Sequence, residues 1–307
     1  MEKIKALLRK CNCFASPSTE KLRQAELAID PRSKIRSPTP SPSRESVKHH
    51  TNKTSIVVAH GAFHTPWHYQ IFVEAVQKHT KIDRVLVPQQ TSSGPSPPDN
   101  SFDTDVKLLH NTITTELREG RDVLLICHSY GAIPGCEALA DLPLSKPGET
   151  GKVLGIVFVS AFVTEAGQSL ITAKMGGRAS WVKIDGPLSH VINPIPTLYN
   201  TSPSSLHPSL VSHLVPQASS SFLATTKHDL WKILPCVYVR CLRDRAMLLD
   251  EQDFFIERLK RNSPDTTSIR ELDADHVPFA SVPEELAGMM WEVVVELKKG
   301  GSSSLSK

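Results

Sequence analysis

The sequence predicts an α/β fold built on a mostly parallel, doubly wound β-sheet of about six strands. After residue 53, short apolar runs rich in Val, Ile and Leu alternate with longer helical patterns. Most of these runs are apolar at every position, which is typical of a parallel strand buried on both faces. Crossover helices between such strands give a sheet whose ligand site lies at the carboxyl ends of the strands.

Six strands and five helices alternate along the chain. The predicted strands are 54–60, 83–88, 122–129, 154–162, 235–244 and 268–274. The predicted helices are 66–79, 101–120, 130–142, 250–261 and 283–299. Residues 163–233 interrupt this alternation with many Pro, Ser and His residues, and a segment of that length in a compact domain predicts an inserted cap over the site.

The two ends of the chain lie outside this pattern. Residues 1–53 form a basic tail rich in Ser and Pro with few apolar side chains, so we expect disorder there. The folded domain is expected at 54–298, followed by a flexible C-terminus at 299–307. Residues 1–54 carry 12 Lys/Arg against 5 Asp/Glu, so the whole-chain charge of +3 leaves −4 for the rest.

This charge distribution and the apolar pattern limit the partners of the folded domain. A slightly acidic domain without a basic, aromatic-rich stripe argues against nucleic-acid binding. The longest apolar run near the start, Ala6-Leu7-Leu8, is too short for a signal peptide or a membrane span, which predicts a cytoplasmic protein without stable membrane insertion. Acylation of Cys11 and Cys13 is the alternative for the tail. The oligomeric state is left open.

Ser129 is the candidate nucleophile. The predicted strand that begins at Asp122 runs through DVLLI into Cys127-His128-Ser129-Tyr130-Gly131, and a helix follows at once. Small residues two positions before and after the serine are typical of a strained strand–turn–helix elbow that exposes the hydroxyl. A buried structural serine is the alternative for this pentapeptide alone.

The acid and the base that a serine nucleophile needs follow in the expected order. Asp244 comes just after one predicted strand, and His276 comes just after the next. A histidine takes the serine proton, and an acid fixes its tautomer. The rival acids are Asp250 and Asp253, which fall in a helix, and Asp273 and Asp275, which flank the base too closely. We also expect Arg243 and Arg245 to keep Asp244 ionised.

The loop after the first strand is the candidate oxyanion loop. We expect backbone N–H groups of Ala62 and Tyr130 to stabilise a developing negative charge. The same loop spaces His60, His64 and His68 four residues apart, which on a helix would suggest a metal site. Pro66 suits the first turn of a helix that begins only there, so the three rings cannot share one helical face, and no metal or other cofactor is predicted. His60 is expected to brace the loop and His68 to pack.

HGAFHTPWHY, ICHSYGAIPG, CLRD and LDADHVPF together resemble the α/β-hydrolase superfamily over residues 55–297, in the branch of plant methyl esterases, hydroxynitrile lyases and their fungal and bacterial relatives. The resemblance implies an α/β-hydrolase fold with Ser129, Asp244 and His276 as catalytic residues and Ala62 with Tyr130 as oxyanion donors. The lyases of this branch carry Thr at the position of Gly61 and Lys at that of Val277. This chain therefore has the pattern of the hydrolases.

The sequence thus predicts a serine hydrolase that cleaves an ester or lactone of a small molecule through an acyl-enzyme, and the resemblance suggests a place in secondary metabolism. The alternatives are a non-hydrolytic tailoring enzyme, catalysing cyclisation, C–C cleavage or elimination on the same triad, and a hydrolase-fold protein that senses a ligand. Phe63, His64 and Trp181 are the predicted substrate-binding residues. Other aromatic residues that could line the pocket are Trp67, Tyr199, Phe222 and Trp231.

Overall fold

A six-stranded parallel sheet forms the centre of the protein in the computed structural model, which describes residues 53–142, 151–173 and 179–303. The strands are β1 (Thr54–Ala59), β2 (Arg84–Leu86), β3 (Asp122–His128), β4 (Val153–Val159), β5 (Val182–Asp185), β6 (Leu188–Val191), β7 (Gln217–Ala218), β8 (Cys236–Cys241) and β9 (Thr267–Leu272). The central sheet has the order β2-β1-β3-β4-β8-β9, and every pair in it is parallel. The predicted fold class is confirmed.

Helices cover both faces of this sheet. They are α1 (Gln70–His79), α2 (Ser101–Arg118), α3 (Ala132–Glu137), α4 (Leu170–Ala173), α5 (Pro194–Leu198), α6 (His207–Ser212), α7 (Leu249–Asn262), α8 (Pro278–Ser281) and α9 (Pro283–Ser303). Helices α2, α3 and α7 contribute to one apolar layer, and α1, α8 and α9 to the other. Val57 faces the first layer while Ile56 and Val58 face the second, which explains why the strands are apolar at every position.

The order of the strands reverses between β1 and β3. The chain moves outward from β1 to β2 and then returns to place β3 on the other side of β1. In open α/β sheets, such a switch leaves a crevice beyond the carboxyl ends of the two strands, where ligands bind. The loop after β1 and the turn that contains Ser129 therefore meet at this point.

The inserted segment contains a small sheet of its own, which the sequence pattern did not predict. Strands β5, β6 and β7 pair in an antiparallel manner, and an isolated bridge joins Ser93 to Gln217 at its edge. No helix in the described part of the chain combines the length and the apolar character needed to cross a membrane.

Two helices end four or more residues away from their predicted ends. The helix expected at 130–142 is shorter, because the chain leaves helical geometry after Glu137 and Asp141 adopts a left-handed φ of 61°. Helix α9 continues to Ser303 past the expected end of the domain at 298, as the last turns extend a helix whose earlier residues pack on the sheet. The predicted tail up to residue 52 and residues 304–307 lie outside the described residues.

Candidate active site

Ser129 occupies a strained position at the end of β3. Its φ is 51°, a left-handed value that residues other than glycine seldom adopt, and residues Ser129–Gly131 form a single 3₁₀ turn before α3. Ser129 keeps 9% of its surface exposed, whereas His128 and Tyr130 on either side of it are fully buried. Strain of this kind persists where the surrounding structure enforces it and is concentrated at functional sites.

The small residues around Ser129 are required by close packing. A Cβ atom on Gly131 would lie 2.1 Å from the carbonyl oxygen of Ala59, so the start of α3 can approach β1 only with glycine at this position. A Cβ atom on Gly135 would lie 2.9 Å from Cys127 Sγ. Burial raises the pKa of the Cys127 thiol, which therefore packs as a neutral apolar group.

Asp244 and His276 form a buried hydrogen-bonded pair. His276 Nδ1 lies 2.7 Å from Asp244 Oδ2, and both side chains are almost completely excluded from solvent. The other carboxylate oxygen accepts hydrogen bonds from the backbone N–H groups of Ala246 at 2.7 Å and Met247 at 2.9 Å. Because the ionised carboxylate only accepts, Nδ1 carries the proton and Nε2 of a neutral ring is left as the acceptor.

The residues beside this pair have structural partners of their own. Arg243 forms two hydrogen bonds with Asp273, at 2.6 and 3.1 Å, so its guanidinium binds a different carboxylate from that of Asp244. The backbone N–H groups of the turn after Asp244 stabilise the carboxylate instead. These donors are backbone N–H groups, which nearly every residue has, so the residue types in the sequence could not identify them.

Asp275 is excluded as the acid because its oxygens bind elsewhere. Its Oδ2 accepts three hydrogen bonds of 2.9 Å, from Thr201 N–H and from both the N–H and the hydroxyl of Ser202. Its Oδ1 accepts from Val277 N–H at 3.1 Å. This carboxylate therefore connects the loop that carries His276 to the inserted segment.

Ser129 and His276 face one cavity of about 140 Å³ between the sheet and the inserted segment. The remaining residues that line it are Ala62, Phe63, Tyr130, Phe162, Leu170, Ile171, Ala179, Trp181, Val182, Ile184, Ser189, Ser219, Phe222, Leu223, Ala246 and Met247. None of them is Lys, Arg, Asp or Glu. Within the described residues, no hydrogen bond joins the Ser129 hydroxyl to His276, a contact that often forms only when substrate binds.

The loop after β1 brings Ala62 and Phe63 to the same cavity. Phe63 has a left-handed φ of 68°, and its backbone is held by Val215 N–H, which donates to its carbonyl oxygen at 2.9 Å. The Phe63 ring lies edge-on to Trp181 and to Phe222, with ring centroids 6.2 Å apart in both pairs. The structure therefore places Phe63, Trp181 and Phe222 at the cavity wall.

His64 does not line this cavity, contrary to the prediction. Its Nδ1 donates to the carbonyl oxygen of Ala62 at 2.8 Å, and its Nε2 accepts from the hydroxyl of Tyr199 at 2.9 Å. Both ring nitrogens are thereby used: Nδ1 binds within the loop, and Nε2 fastens the loop to the inserted segment. Tyr199 and Trp231 are likewise fully buried away from the cavity, and Trp67 stacks on His213 at 3.8 Å.

His60 and His68 also bind backbone groups. His60 Nε2 accepts from Gln90 N–H at 2.9 Å, and His68 Nε2 donates to the carbonyl oxygen of Leu210 at 3.0 Å. Burial lowers the pKa of both rings from 6.5 to about 4. Residues 60–65 form a loop and a 3₁₀ helix spans Pro66–Tyr69, so the three rings do not share a helical face. No cluster suited to a metal ion occurs among the described residues.

Sequence reasoning missed two sets of residues. The aliphatic wall of the cavity, Leu170, Ile171, Ile184 and Leu223, lies in an insertion without regular periodicity. Tyr69 and His128 were also missed, although both are buried and join the loop after β1 to Ser129 and His276. The one available signal was the position of His128 directly before the serine.

Comparisons with known proteins agree with this geometry. The Alpha/beta hydrolase family model matches residues 56–289. The chain is 26% identical over 193 residues to "Probable hydrolase R7" of Phoma sp., covering 62% of this chain and 77% of that protein. It is 25% identical over 244 residues to "Alpha/beta hydrolase nvfD" of Aspergillus novofumigatus, covering 78% of this chain and 95% of that protein.

A solved structure has the same fold. The crystal structure of the methylesterase MES16 from Arabidopsis superposes with a TM-score of 0.59 at 21% identity, covering 79% of this chain and 99% of that one. The predicted resemblance is confirmed. With the family model matching most of its length, the chain belongs to the alpha/beta hydrolase family.

Proposed function

We propose that the protein hydrolyses an ester or lactone of a small organic molecule through an acyl-enzyme. The Ser129 oxygen attacks the carbonyl carbon while His276 Nε2 takes the hydroxyl proton. That proton passes to the leaving alkoxide as the carbonyl–oxygen bond breaks, and a water molecule then releases the acid by the same route. Asp244 keeps the ring in the required tautomer and stabilises the imidazolium.

One observation carries the proposal. The strained Ser129 and a histidine whose Nδ1 is held by a buried carboxylate face one cavity. Ala62 and Tyr130 line the same cavity, which supports their backbone N–H groups as the donors to the negative oxygen of the tetrahedral intermediate. The mechanism uses no cofactor.

The cavity wall supports an uncharged, apolar substrate group. The described lining offers aliphatic and aromatic side chains and no Lys, Arg, Asp or Glu to bind a carboxylate, phosphate or amine. An apolar cavity near this volume holds a ring of about the size of benzene. We therefore expect a neutral ester whose acyl or alcohol part is hydrophobic.

Labelling with a fluorophosphonate probe and turnover of p-nitrophenyl butyrate test the assignment. Wild type should label and turn over, and Ser129→Ala should lose labelling and at least about 10³-fold in kcat/KM. Ser160→Ala is the matched control, since Ser160 is also buried at the end of a strand with a left-handed φ of 42° but does not line the cavity.

Each outcome decides between the candidate functions. A wild-type protein that never labels would contradict Ser129 as nucleophile. Labelling at Ser129 without turnover of any ester, but with tight binding of an apolar ligand, would instead indicate a ligand-sensing protein. Consumption of a substrate without release of acid and alcohol would indicate non-hydrolytic chemistry on the same residues.

A further inference from the structure

His128 lies at the centre of a buried chain of hydrogen bonds beneath the proposed active site. Its Nε2 is 2.8 Å from the carbonyl oxygen of His276, and its Nδ1 is 2.6 Å from the hydroxyl of Tyr69. The Tyr69 oxygen in turn accepts from Gly61 N–H at 2.9 Å. His128 and Tyr69 are completely buried.

The two end groups fix the direction of each of these hydrogen bonds, because the His276 carbonyl oxygen can only accept and the Gly61 N–H can only donate. A carbonyl oxygen only accepts, so His128 Nε2 must carry a proton. Burial and the neighbouring His276 lower the pKa of His128, so the ring is neutral and its Nδ1 accepts from the Tyr69 hydroxyl. The Tyr69 oxygen is then free to accept from Gly61 N–H. No other assignment satisfies all three contacts with a neutral ring.

The hydrogen bonds of Tyr69 and His128 connect the three segments on which the proposed chemistry depends. Gly61 precedes Ala62, the proposed oxyanion donor, and His128 precedes Ser129. The third contact is made by the backbone of His276 itself. These segments follow three different strands, β1, β3 and β9, which are not all neighbours in the sheet.

The packing around His128 leaves little freedom for these segments to shift. A Cβ atom on Gly61 would lie 2.9 Å from His128 Nδ1 and 3.4 Å from Ser129 Cβ. The ring of Phe279 lies 5.1 Å from that of His128, and the rings of His64 and His276 lie at 5.7 and 5.1 Å. The titratable groups that contact His128 or act on its charge are Tyr69, His64, His276, His60 and His68.

We infer that His128 is a positioning residue that, together with Tyr69, fixes the distances between the oxyanion loop, the nucleophile and the base. This inference rests on the proposed function. A neutral ring suits the role, because a positive charge there would oppose the imidazolium that forms on His276 during the reaction. A displacement of the reacting groups by about 1 Å can cost about 10²-fold in rate.

Tyr69→Phe is the most direct test, because it removes one hydroxyl and keeps the ring. We expect kcat to fall about 10- to 100-fold with KM changed less than about threefold, since the oxyanion contact is made mainly in the transition state. Tyr238→Phe is the matched control. Tyr238 is equally buried, and its hydroxyl likewise forms two short hydrogen bonds, donating to Ala161 O at 3.0 Å and accepting from Ala161 N–H at 3.2 Å.

The control separates positioning from general stability. Both variants should lower the melting temperature by similar amounts, but only Tyr69→Phe should lower kcat. Equal kcat values in the two variants would overturn the inference. His128→Gln, whose amide can both accept and donate, should retain more of kcat than His128→Ala; equal losses would also count against a role for the hydrogen bonds.

A measurement without turnover keeps this test separate from that of the proposed function. In ¹⁵N NMR spectra of histidine-labelled protein, the His128 ring should remain the neutral Nε2–H tautomer between pH 6 and 9. An Nδ1–H tautomer, or a protonated ring, would overturn the chain of hydrogen bonds even if esters are hydrolysed. If His128 has the expected tautomer but the protein neither reacts with the fluorophosphonate probe nor hydrolyses the ester, only the proposed function is contradicted.

Discussion

The cavity has two walls that differ in how they are held. Ser129, Tyr130 and His276 on the sheet side are buried, and hydrogen bonds among loops from three strands surround them. On the side of the inserted segment, Ile171, Ile184 and Leu223 expose 36%, 43% and 65% of their surface. Proton transfer and oxyanion stabilisation require fixed distances, whereas an apolar contact requires only that water be excluded.

This difference leads to unequal expectations for substitutions on the two walls. A change on the sheet side should affect the rate of the chemical step. A change on the exposed aliphatic wall should affect which substrate binds, and by a smaller factor.

The largest effect is expected for Asp244→Asn. The asparagine can still accept from Ala246 and Met247, but its amide favours the wrong tautomer of His276 and no longer stabilises the imidazolium. We expect kcat for p-nitrophenyl butyrate to fall about 10³- to 10⁴-fold with the fold intact.

Asp273→Asn is the control, because that carboxylate is exposed and pairs only with Arg243 among the described contacts. It should keep kcat within about twofold of wild type. A comparable loss of kcat in both variants would mean that Asp244 does not act as the orienting acid.

An intermediate effect is expected at acid pH, where two buried histidines, His60 and His68, should make the protein less stable. His60 and His68 have pKa values of about 4 when folded against 6.5 when unfolded, so the unfolded chain binds more protons between these values. Their contribution to stability is complete above pH 6.5 and is lost as the pH falls towards 4. Each histidine should lower the free energy of unfolding by roughly 1.4 kcal/mol for each pH unit of that fall.

Urea unfolding at a series of pH values between 7 and 5 measures this loss. In His68→Gln, the amide oxygen can accept from Thr65 N–H and the amide N–H₂ can donate to Leu210 O, so the fold should persist without the titrating ring. The free energy of unfolding should then depend on pH less steeply, by about one bound proton. An unchanged slope would show that His68 is not a source of the acid sensitivity.

The smallest effect is expected for Leu223→Ser on the exposed wall. We expect KM for p-nitrophenyl octanoate to rise about two- to fivefold through lost apolar contact, with kcat unchanged and the acetate ester unaffected. Ile233→Ser is the control, since Ile233 is 68% exposed but does not line the cavity. A fall in kcat for every ester in Leu223→Ser would remove the distinction between the two walls.

Much of the fold was predictable because its signals are local. Strands apolar at every position, followed by helical patterns, predicted a parallel sheet, and Ser129, Asp244 and His276 each follow one of its strands. The small sheet of the inserted segment was not predictable in this way. Its strands are short, and β5 is mostly exposed, so no clear alternation of apolar and polar residues marks them.

The sequence by itself therefore determined the fold class, the family and the residues proposed for the chemistry, because periodicity and motif order depend on neighbours along the chain. The tertiary structure alone decided the roles of the polar residues around them. His64 binds Tyr199 across 135 residues and His128 binds the backbone of His276 across 148. A hydrogen bond depends on the distance and angle between two groups, and those are set only once the strands that carry them have packed together.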